Sequence, residues 1–137
     1  KKMSKSELSD LSRINLTDDK DQIVNKIKKA KTDPLPMPSS VDELNKRPEA
    51  KNLIGIYSSL TNQNLEKSIQ EFTGKNFSEF KQKLSQVVVD KIFPISLEIK
   101  KLLNEKKYLD QILLEGCGKA DEIASKKIKK IHEIVGF

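Results

Sequence analysis

The sequence predicts an all-α fold, a helical bundle with no convincing strand. Apolar residues recur at intervals of three and four along most of the chain, which is the spacing of one helix face. Prolines and glycines interrupt this pattern, whereas an alternation of apolar and polar residues is absent. At 137 residues with 36% hydrophobic content, the chain is long enough to bury the core of one domain.

Residues 1–16 show little periodicity and are expected to form a loop. The first helix should follow Thr17, because threonine is a good N-cap and the acidic residues after it suit the positive end of a helix dipole. Its apolar face consists of Ile23, Val24, Ile27 and Ala30. The opposite face is expected to be an exposed basic edge, formed by Lys26, Lys28, Lys29 and Lys31.

The segment at about residues 33–40 contains three prolines and is predicted to be a linker, since proline removes a backbone donor and favours extended geometry. Pro48 suits the first turn of the next helix. The apolar stripe of that helix is Ala50, Leu53, Ile54, Tyr57 and Leu60. After the break at residues 62–64, a short helix is predicted that ends near Gly74. Its side chains Leu65, Ile69 and Phe72 should face the core.

Ser78 is predicted to cap the longest periodic stretch, and Pro94 is expected to kink or divide it. The inward residues of its first half are Phe80, Leu84, Val87 and Val88. A separate short helix with Tyr108, Ile112 and Leu113 should then be closed by Gly116 and Gly118. The last helix is expected to be lined by Ala120, Ala124, Ile128, Ile131 and Val135.

Composition restricts the function classes. The net charge of +6 and the pI near 9.3 make a polyanion a plausible partner, although lysines four residues from glutamates often form only a solvated face. Cys117 and His132 are the only residues of their types, so neither a disulfide nor a metal site is expected. No membrane span or secretory pattern is present, and the cytoplasm or the mitochondrial matrix is the expected location.

One short motif and five longer stretches carry a family resemblance. Lys2-Met3-Ser4-Lys5-Ser6 reads as the K-M-S-K-S signature of class I aminoacyl-tRNA synthetases. Other stretches resemble tryptophanyl-tRNA synthetases in the order of that family: residues 9–19, 28–33, 47–58, 77–94 and 116–120. The chain therefore resembles the carboxy-terminal portion of a tryptophanyl-tRNA synthetase, from the signature loop onward.

The resemblance implies that residues 2–6 bind ATP, which is a substrate together with Mg²⁺, and that Lys2 and Lys5 act in catalysis by contacting its phosphates. Activation of an amino acid leaves negative charge on the departing pyrophosphate, and lysines on a mobile loop can close over that charge. Lys5 is the residue expected to stabilise the transition state.

The resemblance also implies a division into residues 1–16, the signature loop and exit from the catalytic domain, and residues 17–137, a helical tRNA anticodon-binding domain. The family's Rossmann domain is missing from this sequence, so the chain alone is expected to be inactive, and further sequence is expected before Lys1. The full-length enzyme would be a homodimeric tryptophan-tRNA ligase that uses tryptophan, ATP and tRNA(Trp).

Four residues are weak candidates for tRNA binding: Arg47, Lys126, Lys127 and Lys130. A solvated surface role is the competing interpretation for each lysine. Two alternatives to the enzyme stay open from the sequence. One is a stand-alone, non-catalytic helical RNA-binding module derived from a synthetase, and the other is a helical bundle with no RNA role.

Overall fold

The computed structural model describes residues 9–136, and in that range it contains helices and no strand. The all-α prediction is confirmed. A 3-10 turn at Asp10–Ser12 precedes the α-helices, which are α1 (Lys20–Lys29), α2 (Val41–Asn45), α3 (Pro48–Thr61), α4 (Leu65–Phe72), α5 (Phe77–Asn104) and α6 (Lys106–Val135). The chain divides between Leu97 and Glu98 into two compact units.

Helix α1 begins two residues later than predicted, because Asp19 and not Thr17 is its N-cap. The Asp19 carboxylate accepts a hydrogen bond from the backbone N–H of Gln22 at 2.8 Å, and the Gln22 side chain accepts one from the backbone N–H of Asp19 at 2.8 Å. This reciprocal capping box satisfies two donors that the first turn leaves open. The expected exposure of the lysine face holds for Lys28 and Lys29 but is wrong for Lys26, which is buried.

The proline-containing segment is non-helical, as predicted, but it is packed into the first unit. Met37 is buried, its backbone N–H donates to the carbonyl of Lys75 at 2.8 Å, and its own carbonyl accepts from Gly74. The short helix α2 that follows was not predicted from the sequence. Ser40 caps it by accepting a hydrogen bond from the backbone N–H of Glu43 at 3.2 Å.

The core of the first unit is built on α3, α4 and the first half of α5. The predicted inward residues Ala50, Leu53, Ile54, Tyr57, Ile69, Phe72, Phe80, Leu84 and Val88 are buried, whereas Leu60, Leu65 and Val87 are partly buried. Tyr57, Phe72 and Phe80 meet edge to face, with ring centroids 4.8 to 6.1 Å apart. The Tyr57 hydroxyl donates to the Glu71 carboxylate at 2.9 Å, and burial together with that carboxylate raises the pKa of Tyr57 to about 12.

Helix α5 differs from the prediction in its N-terminal cap, and of the two alternatives for Pro94 the division of the helix is wrong. Its first turn is capped by Asn76 and not by Ser78, since the Asn76 side chain accepts from the backbone N–H of Glu79 at 2.8 Å. Pro94 lies inside the helix and does not divide it. Proline removes one hydrogen bond from the ladder, but a helix of 28 residues retains the bonds on either side.

Helix α6 runs without interruption through Gly116 and Gly118, so the prediction of two separate helices is wrong. Each glycine disfavours a helix by only about 1 kcal/mol relative to alanine, which good helix formers on both sides can offset. The helix ends instead at Gly136, which has a left-handed φ of 81°. The apolar residues predicted to line a core are exposed: Tyr108, Ile112, Leu113, Ile128, Ile131 and Val135.

We expect alanine at Gly116 and Gly118 to increase the helix content of α6. Nothing lies within 4 Å of a Cβ at either position, so alanine should favour the helix by about 1 kcal/mol per site. Far-UV circular dichroism during thermal denaturation would measure the gain. Gly74→Ala is the matched control and should destabilise the chain, because Gly74 has a φ of 72°. A loss of helix signal in the Gly116 and Gly118 variants would contradict the continuous helix.

Candidate nucleic-acid interface

A groove between α1 and the first half of α5 has a volume of about 920 Å³ and combines basic, polar and aromatic side chains. Lys20 and Lys28 of α1 line one wall, and Lys81, Asp90 and Phe93 of α5 line the other. Helical periodicity places these residues together. Positions four apart fall on one face, so α1 presents Lys20, Val24 and Lys28, and α5 presents Phe77, Lys81, Ser85 and Val89.

Lys81 of α5 forms hydrogen bonds with the carboxy-terminal end of α1. Its ammonium donates to the carbonyl oxygens of Lys28 at 3.3 Å and Ala30 at 2.6 Å, where α1 ends. A cation at this position interacts favourably with the negative end of the helix dipole. Burial lowers the pKa of Lys81. This lysine therefore has a structural role at one end of the groove.

The other end of the groove contains an exposed cation beside an aromatic ring. The Lys20 ammonium lies 4.7 Å from the centre of the Phe93 ring. Lys28 is also exposed. Exposed ammoniums can neutralise phosphates, aromatic faces can stack on unpaired bases, and a carboxylate such as that of Asp90 can accept hydrogen bonds from base amino groups. The groove therefore offers side chains of the kinds that can contact single-stranded RNA.

Arg47, a residue predicted to bind tRNA, is buried in an intramolecular network. Its guanidinium donates to the Asp33 carboxylate at 2.6 and 3.0 Å, to Glu43 at 3.2 Å and to the Pro36 carbonyl at 2.7 Å. The hydrogen bond from Arg47 lowers the pKa of Asp33. These contacts fasten the proline-containing segment to the start of α3 and give Arg47 a structural role. Its contact with tRNA stays a prediction.

The other three tRNA candidates are exposed residues of α6, in the second unit. Lys126 forms an ion pair with Glu122 at 2.7 Å, as their spacing of four predicts. Lys127 and Lys130 lie on the same helix. Their exposure is compatible with both phosphate binding and a purely solvated role, so their contact with RNA stays a prediction.

The predicted ATP-binding residues Lys2, Met3, Ser4, Lys5 and Ser6 lie outside the described residues. Within residues 9–136, no group of three or more histidine, cysteine, aspartate or glutamate side chains could hold a metal ion. No helix in this range is long and apolar enough to cross a membrane. The groove is accordingly the best-defined candidate site in the part of the chain that can be described.

Comparison with known proteins defines the class to which this chain belongs. The family model of class I tRNA synthetases (W and Y) matches residues 1–93. The chain therefore belongs to the class I tRNA synthetase family whose members are specific for tryptophan or tyrosine.

The individual relatives that the chain resembles are named for tryptophan. The chain is 47% identical over all 137 residues to proteins of Rhizobium meliloti and Agrobacterium fabrum, and 46% identical to one of Rickettsia felis. Each of these relatives is named tryptophan-tRNA ligase, and the resemblance to tryptophanyl-tRNA synthetases is thus confirmed. The chain spans 39% of the length of the first two relatives and 41% of the third.

Proposed function

We propose that this chain is part of an enzyme that activates tryptophan with ATP and transfers it to tRNA(Trp). The observation that supports this most strongly is the K-M-S-K-S sequence at residues 2–6, in a chain similar over its whole length to tryptophan-tRNA ligases. In this proposal residues 1–16 form the phosphate-binding loop and its exit, and residues 17–137 form the tRNA-recognition domain. The full-length enzyme is a homodimer of the bacterial cytoplasm.

The loop acts in the first reaction step. The carboxylate of tryptophan attacks the α-phosphorus of ATP, and Mg²⁺-bound pyrophosphate leaves with added negative charge. Lys2 and Lys5 donate to the phosphates as that charge develops, with Lys5 making the contact that strengthens most in the transition state. The hydroxyls of Ser4 and Ser6 supply further donors, and Met3 anchors the loop.

The groove between α1 and α5 binds unstacked nucleotides of the tRNA in the second step. Lys20 and Lys28 neutralise phosphates, and Phe93 stacks on a base once the Lys20 ammonium turns toward the RNA. The lysines Lys126, Lys127 and Lys130 of α6 are a second proposed contact region. The net charge of +6 adds a favourable long-range attraction.

Alanine at Lys20 and Lys28 tests the groove. In the full-length protein each substitution should weaken tRNA(Trp) binding and reduce the slope of log affinity against log salt by about one, because one phosphate contact is lost. Lys67→Ala, an exposed lysine of α4 outside the groove, is the matched control. Unchanged slopes in both groove variants would show that the groove does not bind tRNA. A triple alanine variant of Lys126, Lys127 and Lys130 tests the proposed contact region on α6 independently.

A non-catalytic RNA-binding module is the alternative that the sequence leaves open. The exposed basic groove supports it as well, since such a surface needs no adenylate chemistry. Aminoacylation assays on the full-length protein separate the two functions. Formation of tryptophanyl-tRNA supports the ligase, whereas tRNA binding without ATP turnover supports the module.

A further inference from the structure

A carboxylate lies in the groove between α1 and α5, which otherwise carries positive charge. Of the described residues that line the groove, Asp90 alone is acidic. In the described part of the chain it forms no ion pair. A carboxylate repels RNA phosphates, so Asp90 opposes the contact of the groove with an RNA backbone. Any favourable contact that it makes with RNA is therefore a contact with a base or with a ribose hydroxyl.

Gln86 holds this carboxylate in place. Its side-chain nitrogen Nε2 donates to Oδ1 of Asp90 at 2.8 Å, one helical turn along α5. An ionised carboxylate only accepts hydrogen bonds, so the amide nitrogen must face Asp90 and the amide oxygen must face away from it. The pair therefore leaves Gln86 Oε1 and Asp90 Oδ2 open as acceptors. Both residues are exposed and line the groove.

Pro94 adds a further acceptor at the same position. In a regular helix the carbonyl of residue 90 would accept a hydrogen bond from the backbone N–H of residue 94, but proline has no N–H to donate. The carbonyl of Asp90 thus lacks its usual helical partner. Asp90 and Pro94 both line the groove. This part of the groove is consequently richer in acceptors than in donors.

The acceptors lie next to the aromatic side chain on which a base could stack. Phe93 follows Asp90 by three residues, which places both on one face of α5 with a rise of about 4.5 Å between them. The polar edge of a base stacked on the Phe93 ring can therefore reach the Asp90 carboxylate. The Lys20 ammonium, 4.7 Å from the centre of that ring, is available to the phosphate of the same nucleotide.

The chemistry of the bases determines which of them such a position accepts. Cytosine, adenine and guanine each carry an exocyclic amino group, whose hydrogens pair with a carboxylate. Uracil carries a carbonyl oxygen where cytosine has its amino group. Two acceptors that face each other both stay without a hydrogen bond, which is unfavourable. A carboxylate beside a stacked base therefore disfavours uracil.

We propose that Asp90, oriented by Gln86, makes the groove selective for a base with an exocyclic amino group stacked on Phe93, and against uracil. This inference rests on the proposed binding of RNA in the groove and assigns the base selectivity to one residue. Gln86 is a positioning residue in this proposal. The lysines supply affinity for phosphates, whereas Asp90 lowers that affinity slightly and supplies the selectivity.

Binding of oligocytidylate and oligouridylate of equal length to the full-length protein tests this, with fluorescence anisotropy at neutral pH as the measurement. The two oligomers have the same phosphates, riboses and ring size, so the ratio of their affinities reports the base contact. Asp90→Asn should lower the preference for cytidylate about fivefold, because an asparagine amide can donate to uracil as well as accept from cytosine. Gln86→Ala should lower it in the same direction but less.

Glu115→Gln is the matched control. Gln111 donates to Glu115 at 3.0 Å on α6, an exposed pair of the same kind that does not line the groove. Its substitution removes one negative charge and should leave the ratio unchanged. Asp90 is exposed, so its substitution by asparagine should not prevent folding.

The outcomes separate this inference from the proposed function of the groove. If Lys20→Ala and Lys28→Ala weaken the binding of both oligomers while Asp90→Asn leaves their ratio unchanged, the groove binds RNA and only the selectivity is overturned. The same ratio in Asp90→Asn and Glu115→Gln would likewise show that Asp90 is an ordinary surface residue. If the two lysine variants bind both oligomers as the unmodified protein does, the proposed function of the groove fails as well.

Discussion

Alanine at Lys5 should slow tryptophan activation by the full-length protein about 100-fold, which corresponds to about 3 kcal/mol of transition-state stabilisation. In the proposed mechanism, the Lys5 ammonium stabilises intact ATP little and stabilises the transition state most, when the bond to the pyrophosphate breaks. The loss should therefore appear in kcat, with KM for tryptophan nearly unchanged. Pre-steady-state formation of tryptophanyl-adenylate is the direct measurement.

Lys1→Ala provides the control for this experiment, because Lys1 is close to Lys5 in the sequence but lies just before the signature at residues 2–6. It should leave the rate of adenylate formation within about twofold of the unmodified enzyme, since a general loss of positive charge has a small screened effect. Equal rates for Lys5→Ala and the unmodified enzyme would exclude Lys5 from the reaction.

The largest loss of stability should follow Phe80→Ala, at about 4 kcal/mol. Phe80 is fully buried and contacts both Tyr57 and Phe72 edge to face. Alanine would remove these contacts and leave a cavity that the three surrounding helices could fill only partly. The free energy of unfolding, from urea denaturation of the chain, measures the effect.

Leu35→Ala is the matched comparison, because Leu35 is 56% exposed in the proline-containing segment. Its loss should be below about 1 kcal/mol, as expected of a surface substitution. Similar losses for Phe80→Ala and Leu35→Ala would contradict the assignment of the aromatic cluster to the core.

The apolar periodicity was sufficient to predict the helices that form the core. Ala50, Leu53, Ile54 and Tyr57 are spaced for one helix face and are buried on it, because in a helix the spacing along the sequence directly sets the face. Breaks were harder to predict. Pro94 and Gly116 are weak helix formers, yet the long helices around them continue, since a local preference of a few kcal/mol is offset by the residues on both sides.

The charged residues show why much of the site was missed. Lys26 lies among other lysines and resembles a solvated residue, and nothing in its neighbours indicates that Asp10 and Asp18 converge on it. The groove has the same difficulty. Lys81 donates to the carbonyls of Ala30 and Lys28, which are 51 and 53 residues away in the sequence. Such a contact depends on how the helices pack and not on a local sequence pattern. The signature, in contrast, is recognisable from five consecutive residues.

The most direct measurement of the central claim is the amino-acid dependence of ATP-pyrophosphate exchange by the full-length protein. The family includes enzymes for tryptophan and for tyrosine, so both amino acids should be compared in the same assay. We predict exchange with tryptophan and none above background with tyrosine. Exchange driven by tyrosine, or no exchange with either amino acid, would contradict the assignment of this chain to a tryptophan-tRNA ligase.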